Sequence, residues 1–197
     1  MRPRASAIIA AATVCVSFGV AYAVTGSLFA TVPVADLRQY GGTTLDDIRS
    51  FELWRLATAQ LLHAKMPHML FNALCLLLLG SLLERAVGPV RTFLVWLIAG
   101  GIATAVSPVF IAPPWNVGTG ASQAVFALAG CVLVLAPARG VERRRAFVYA
   151  TVALGIGTAL DLAFAGYPKP GHVTGLVLGV LFGVLYRTTD RREREAA

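Results

Sequence analysis

The chain has 197 residues, of which 57% are hydrophobic and only 14% charged, against about 25% charged in an ordinary soluble domain. With a mean hydropathy of +0.71, this composition excludes a soluble globular domain and leaves a polytopic membrane protein. The formal charge of +7 is then a topology signal, because Lys and Arg collect on the cytoplasmic side; no nucleic-acid partner is expected.

A helix needs roughly 20 mainly apolar residues to cross a bilayer. Six stretches qualify or nearly so, at 5–29, 67–83, 90–111, 121–136, 146–165 and 172–186, the fourth and sixth being short. Helices are the only reading, because unpaired backbone groups are too costly in hydrocarbon and no alternating barrel pattern is present. The expected fold class is all-α, a polytopic membrane helical bundle of six transmembrane helices in one domain, 1–197.

The stretch 5–29 follows Arg2 and Arg4 and holds an Ala21-Tyr-Ala23 site, as a signal peptide would. It runs well past the roughly 7–15 residues of a signal h-region, so it reads as an uncleaved first span. Next comes the long polar segment Pro33–Trp54, with a turn signal at Gly41-Gly42 and an apolar-periodic stretch from Phe51. It reads as an ordered external loop with an interfacial helix, Tyr40 and Trp54 suiting the headgroup level.

The spans sort the basic residues into two sets. One holds Arg2, Arg4, Arg85, Arg91, Arg139, Arg143, Arg144, Arg145, Arg187, Arg191, Arg192 and Arg194; the other holds Arg38, Arg49, Arg55, Lys65 and Lys169. The larger set is cytoplasmic by the positive-inside rule. Both termini are then inside, and 187–197 is a short basic cytoplasmic tail. Cys15, Cys75 and Cys131 fall in apolar spans without ligand spacing and read as buried thiols acting as small hydrophobes.

Spans two, four and six run from outside to inside, so their N-terminal ends share the outer leaflet. Those ends carry His68 and Asn72, Ser122 and Gln123, and His172. Polar groups in a membrane are costly and face the protein interior or a water-filled cavity. His68 and Asn72, four apart, share a helix face. His172, Gly175, Gly179 and Gly183 form a stripe on one face, and small residues four apart let membrane helices approach closely. Ser122, Ala129 and Gly130 offer a small surface for that stripe, with Phe126 one turn from Ser122.

Ser122 taken alone is a helix cap, a packing residue or a nucleophile. Beside His172 it gains a base that takes the hydroxyl proton and returns it to the leaving group. An oxyanion needs donors, and the Ser122 N–H with the side chains of Asn72 and His68 are candidates. Span four has only about 16 apolar residues, or ~24 Å, so Ser122 is expected below the outer surface. Asp161, near the outer end of span five, reads as a hydrogen-bonded gate or loop anchor, with a proton relay as the alternative.

Four patterns together resemble the rhomboid intramembrane serine proteases over nearly the whole chain. Trp54-Arg55 with Thr58 and Leu62-His63 is similar to that family's first-loop signature; His68-Met-Leu-Phe-Asn72 to its HxxxN; Gly120-Ala-Ser122 to the start of its GxSG; and His172-Val-Thr-Gly175-Leu-Val-Leu-Gly179 to its HxxGxxxG. The resemblance implies a serine endopeptidase with Ser122 as nucleophile and His172 as base, a dyad without aspartate. It implies His68 and Asn72 at the oxyanion hole, Phe126 packed on the histidine, and no metal or cofactor. It implies substrates that are single-span membrane proteins cut near the outer end of the helix, entering by movement of span five and the cap loop Gly166–Gly171. The implied setting is the lipid bilayer of a bacterial plasma membrane; the oligomeric state stays open.

Gln123 departs from the pattern, standing where the motif has its second glycine, and bears on activity or substrate range. Trp54 and Arg55 read as anchors of the external loop, and Gly175 and Gly179 as packing residues on which the site depends. Two other readings stand beside the enzyme. One is an inactive relative that binds transmembrane helices as adaptor or chaperone. The other is a small transporter, against which the spans show no inverted half-repeat.

Overall fold

The computed structural model of the chain describes residues 4–136 and 142–195. Arg2 and Arg139, which enter the sequence reading, lie outside the described residues. The helices, in chain order, are α1 (Ala5–Thr25), α2 (Leu45–Arg49), α3 (Arg55–Thr58), α4 (Met66–Val87), α5 (Pro89–Leu94), α6 (Gly101–Val106), α7 (Ser122–Leu135), α8 (Glu142–Ala165) and α9 (Pro170–Glu195). A π-helical segment, Val95–Gly100, joins α5 to α6, making Pro89–Val106 one continuous apolar rod.

Five of these rods are long and apolar enough to cross a bilayer: Ala5–Thr25, Met66–Val87, Pro89–Val106, Arg143–Ala165 and Pro170–Thr189. The fourth expected span, α7, has only 14 residues. Several boundaries also differ from expectation. The first span closes at Thr25, where Gly26 takes a left-handed φ of 72° and its N–H bonds Tyr22 O at 2.8 Å. The third closes at Val106, two residues before Pro108, whose missing N–H ends a helical ladder. The sixth runs on as helix to Glu195, through most of the stretch read as a tail. The α4–α5 turn rests on Gly88, at φ 86°, followed by Pro89 in the first helical position, a conformation that favours glycine.

The short α7 is the centre of the bundle. Every residue from Ser122 to Val132 is buried, and α9, α8, α4 and the π-helical segment pack around it. A helix enclosed by protein has its apolar surface covered without matching the thickness of the lipid. The glycine stripe of α9 makes the closest of these contacts. A Cβ on Gly175 would strike Gln123 O and one on Gly179 would strike Ala127 O; on Gly183 it would lie 3.0 Å from Cys131 O. The spacing of four on α9 is thus met by the spacing of four on α7.

The peripheral helices show the opposite pattern. Only 22% of the α8 span is buried, against 56% for α4, and Phe147, Val152, Ile156, Leu160 and Phe164 point outward. Helix α1 is similarly one-sided, which is why Cys15 is exposed rather than buried as expected, while Cys75 and Cys131 are buried. The N-terminal end of α1 is pinned by Glu84 of α4, whose carboxylate accepts from the N–H groups of Arg4, Ala5 and Ser6 at 2.6, 3.2 and 3.0 Å. An anion on otherwise orphaned N-terminal amides is a favourable cap.

The loop between α1 and α4 is ordered by one arginine–aspartate network. Arg55 donates to Arg38 O and Gly42 O at 2.7 and 2.8 Å and to Glu52 at 2.6 Å, and it stacks on the Trp54 ring at 4.5 Å. Asp47 closes a capping box with Thr44 and pairs with Arg38 at 2.7 Å. Burial raises the Asp47 carboxyl, but hydrogen bonds from Arg38 and Thr44 outweigh it and bring the pKa from 3.8 to about 2. A depressed carboxylate contributes stability above its unfolded pKa and loses it as pH falls through the folded one. Stability is therefore expected to fall between pH 3.8 and about 2, by at most ~2 kcal/mol because Arg38 is half-exposed, and the melting temperature with it. Asp47→Asn should flatten that drop; an equal drop in the variant would exclude Asp47 as its source.

Candidate active site

Ser122 is the first residue of α7, and Gly120 sets its approach. Gly120 has φ 97°, and a Cβ there would meet only the His63 ring at 3.8 Å, so glycine is required there by conformation. The Gly120 N–H donates to Ala59 O at 2.9 Å and the Ala121 N–H to His63 Nε2 at 3.2 Å. The chain is thus held at two successive amides just before the serine.

His172, on the first turn of α9, brings Nε2 to 2.8 Å from Ser122 Oγ. On its other side Nδ1 lies 2.6 Å from Asp161 Oδ2. A carboxylate only accepts, so Nδ1 carries the proton and Nε2 the lone pair facing the hydroxyl. The Phe126 ring stacks on the imidazole, centroids 4.3 Å apart and planes 10° from parallel. Gly157 of α8 lies against Phe126, where a Cβ would be 2.7 Å from the ring Cζ. Ser122, His172 and Asp161 are all buried.

The resemblance implies a dyad; here α8 delivers a buried carboxylate to the imidazole. Gly157 and Asp161 are four residues apart, so the face that seats α8 on Phe126 also points Asp161 at Nδ1. Asp161 also accepts the Lys169 N–H at 2.9 Å, so the expected loop anchor is present as well.

His63 is the residue whose role sequence reading missed. It is buried, and burial first, with the neighbouring His68, pushes its pKa down to about 3, so it is neutral. Nε2 faces the Ala121 N–H and, at 3.1 Å, the Asn72 amide. Nδ1 faces Ser17 Oγ at 3.1 Å, and that hydroxyl donates to Leu61 O at 2.8 Å. These partners assign the proton to Nδ1. One ring thereby ties α1, α4 and the residue before Ser122. Its only sequence signal was an isolated histidine in the first-loop pattern.

The remaining expected residues are distributed around this core. Asn72 is buried and spends one amide bond on His63. His68 is exposed, edge-on to His63 at 5.8 Å, and close enough to Lys169, His172 and Asp161 to feel their charges. Gln123 is buried; its Oε1 lies 3.3 Å from Ser122 Oγ and its Nε2 donates to Ser107 Oγ at 3.2 Å. Gly175 and Gly179 pack α9 onto α7, whereas Trp54 and Arg55 belong to the external loop network.

Comparison with known proteins identifies the family. The rhomboid domain profile matches residues 50–189. The chain is 33% identical over 133 residues to rhomboid protease GluP of Bacillus subtilis (strain 168), covering 65% of this chain and 25% of that protein. It is 31% identical over 150 residues to RHOMBOID-like protein 4 of Arabidopsis thaliana, covering 75% and 38%. It is 32% identical over 141 residues to RHOMBOID-like protein 7 of the same plant, covering 68% and 43%. The matched regions thus span less than half of each of these relatives. Since the profile covers well over half of the chain and five of the described helices are long and apolar enough to cross a membrane, the chain belongs to the rhomboid family and is a multi-pass integral membrane protein.

Proposed function

We propose that the chain is an intramembrane serine endopeptidase that hydrolyses peptide bonds of transmembrane proteins near the outer leaflet. The observation that carries this reading is the 2.8 Å approach of Ser122 Oγ to an unprotonated His172 Nε2. A hydroxyl is a weak nucleophile until a base within hydrogen-bond reach removes its proton. The protease name of one relative supports the same reading.

In this mechanism Nε2 takes the Ser122 proton as Oγ bonds to the scissile carbonyl carbon. The oxyanion is met by N–H groups at the α7 N-terminus, which have no intrahelical acceptors, and by the side chains of His68 and Asn72. Nε2–H then protonates the leaving nitrogen as the C–N bond breaks. Water, activated by the same imidazole, cleaves the acyl-enzyme. The α7 helix is the fourth of six spans, enclosed by protein; both termini are cytoplasmic, and the setting is a bacterial plasma membrane. Substrate enters beside α8, the least embedded helix near the site, and the cap loop before α9.

The test is cleavage of a single-span reporter by the parent, Ser122→Ala and His172→Ala in detergent and in liposomes. Parent cleavage lost in both variants is the expected result, a fall of about 10⁴-fold or more. A folded parent that neither cleaves nor reacts with a serine-directed phosphonate overturns it. A second reading, an inactive helix-binding adaptor, is favoured by one observation, the Gln123 Oε1 acceptor beside the serine hydroxyl. Restoration of cleavage in a silent parent by Gln123→Gly would locate the block in that side chain.

A further inference from the structure

The geometry points to Asp161 as a positioning residue for His172, its carboxylate arriving from α8 to hold the base of the Ser122–His172 pair in one tautomer. This deepens the protease reading and rests on it. Four observations carry it. The Asp161 carboxylate is 1% exposed. Its Oδ2 lies 2.6 Å from His172 Nδ1, a short, charge-assisted bond. The same oxygen accepts the Lys169 N–H at 2.9 Å, and Oδ1 lies 3.7 Å from Lys169 Nζ. The imidazole face is fixed independently by Phe126, so the carboxylate sets the one remaining degree of freedom, which nitrogen carries the proton.

The chemical consequence is specific. With Asp161 in place, Nδ1 must hold the proton, so Nε2 is always available to accept from Ser122. When Nε2 takes that proton, the imidazolium donates from both nitrogens, to the carboxylate and to the departing group; Asp161 itself gains no proton. Without the carboxylate the imidazole is free to hold its proton on Nε2, where it blocks the serine. Because Asp161 belongs to α8 and Lys169 to the loop before α9, one carboxylate aligns the base and fastens the loop that covers it. A structural anchor alone would serve Lys169 without touching His172.

The test compares Asp161→Asn and Asp161→Glu with the parent for reporter cleavage in liposomes, alongside thermal unfolding. It adds proton NMR of protein carrying ¹⁵N-histidine, where only His63, His68 and His172 contribute. Expected for Asp161→Asn is a kcat loss of about 100-fold or more with KM little changed, and Asp161→Glu regains part of it. The parent should show a far-downfield Nδ1–H resonance from His172 that Asp161→Asn lacks. A folded Asp161→Asn whose kcat stays within about threefold of the parent, or which keeps that resonance, overturns the inference. If Asp161→Asn does not fold, the parent decides, since absence of a downfield Nδ1–H overturns the assignment. If the folded parent neither cleaves nor takes a serine-directed phosphonate, the protease reading fails, while the resonance still reports whether Asp161 holds the histidine.

Discussion

Gly179→Ala is expected to destabilise the bundle by about 3 kcal/mol or more and to abolish reporter cleavage. The added methyl would strike Ala127 O and lie 2.7 Å from Ala127 Cα. These are backbone atoms of a helix buried on every side, so they have no room to retreat. The two helices must separate, and the separation carries His172 away from Ser122. Gly155→Ala is the matched control, because a Cβ at Gly155 meets nothing within 4 Å. There the exchange should be neutral or stabilising by up to ~1 kcal/mol, since alanine is the better helix former. Thermal unfolding of both variants in one detergent measures the contrast. Equal melting temperatures would sink the claim that α9 is seated on α7 through its glycines.

His63→Ala is expected to cost about 3 kcal/mol or more and to slow phosphonate labelling of Ser122 by at least about tenfold. The substitution strands the Ala121 N–H and the Asn72 amide, which face His63, and takes one partner from the Ser17 hydroxyl, which keeps Leu61 O. Each buried group left without a partner costs roughly 1–3 kcal/mol. The Ala121 amide is the connection to the site, because it fixes the peptide entering Ser122. His63→Gln provides the discriminating comparison. Glutamine presents an acceptor on one atom and donors on the other, matching the Nε2 and Nδ1 polarity, so it should recover much of the stability. Labelling at the parental rate by a folded His63→Ala would show that the ring packs the loop without positioning the serine.

Both predictions rest on features that sequence treats very differently. The glycine stripe was legible, because a period of four on a helix is a local property and small residues on such a face have one physical use. The meeting of His172 and Ser122 was legible for a related reason. Charge bias orders the spans, so residues at the entry of alternate helices share a depth. Phe126 follows from its offset of four from Ser122. The spans themselves were readable to within a few residues from hydropathy, apart from the helical continuation of α9 to Glu195.

Asp161 and His63 mark where that legibility ended. A lone carboxylate in an apolar span announces that it has a partner, but hydropathy does not fix the rotation of α8 about its own axis. That rotation is set by Gly157 docking on the Phe126 ring, a contact between residues 31 positions apart. His63 was ambiguous because its three partners come from α1, α4 and the loop before α7, and no spacing within one segment brings them together. The sequence by itself determined an all-helical membrane chain and the helix faces that carry its polar residues, because period and length act locally. The tertiary structure decided which faces meet, enclosed the 14-residue α7, and set a carboxylate on His172, because helix rotation and docking depend on packing between distant segments.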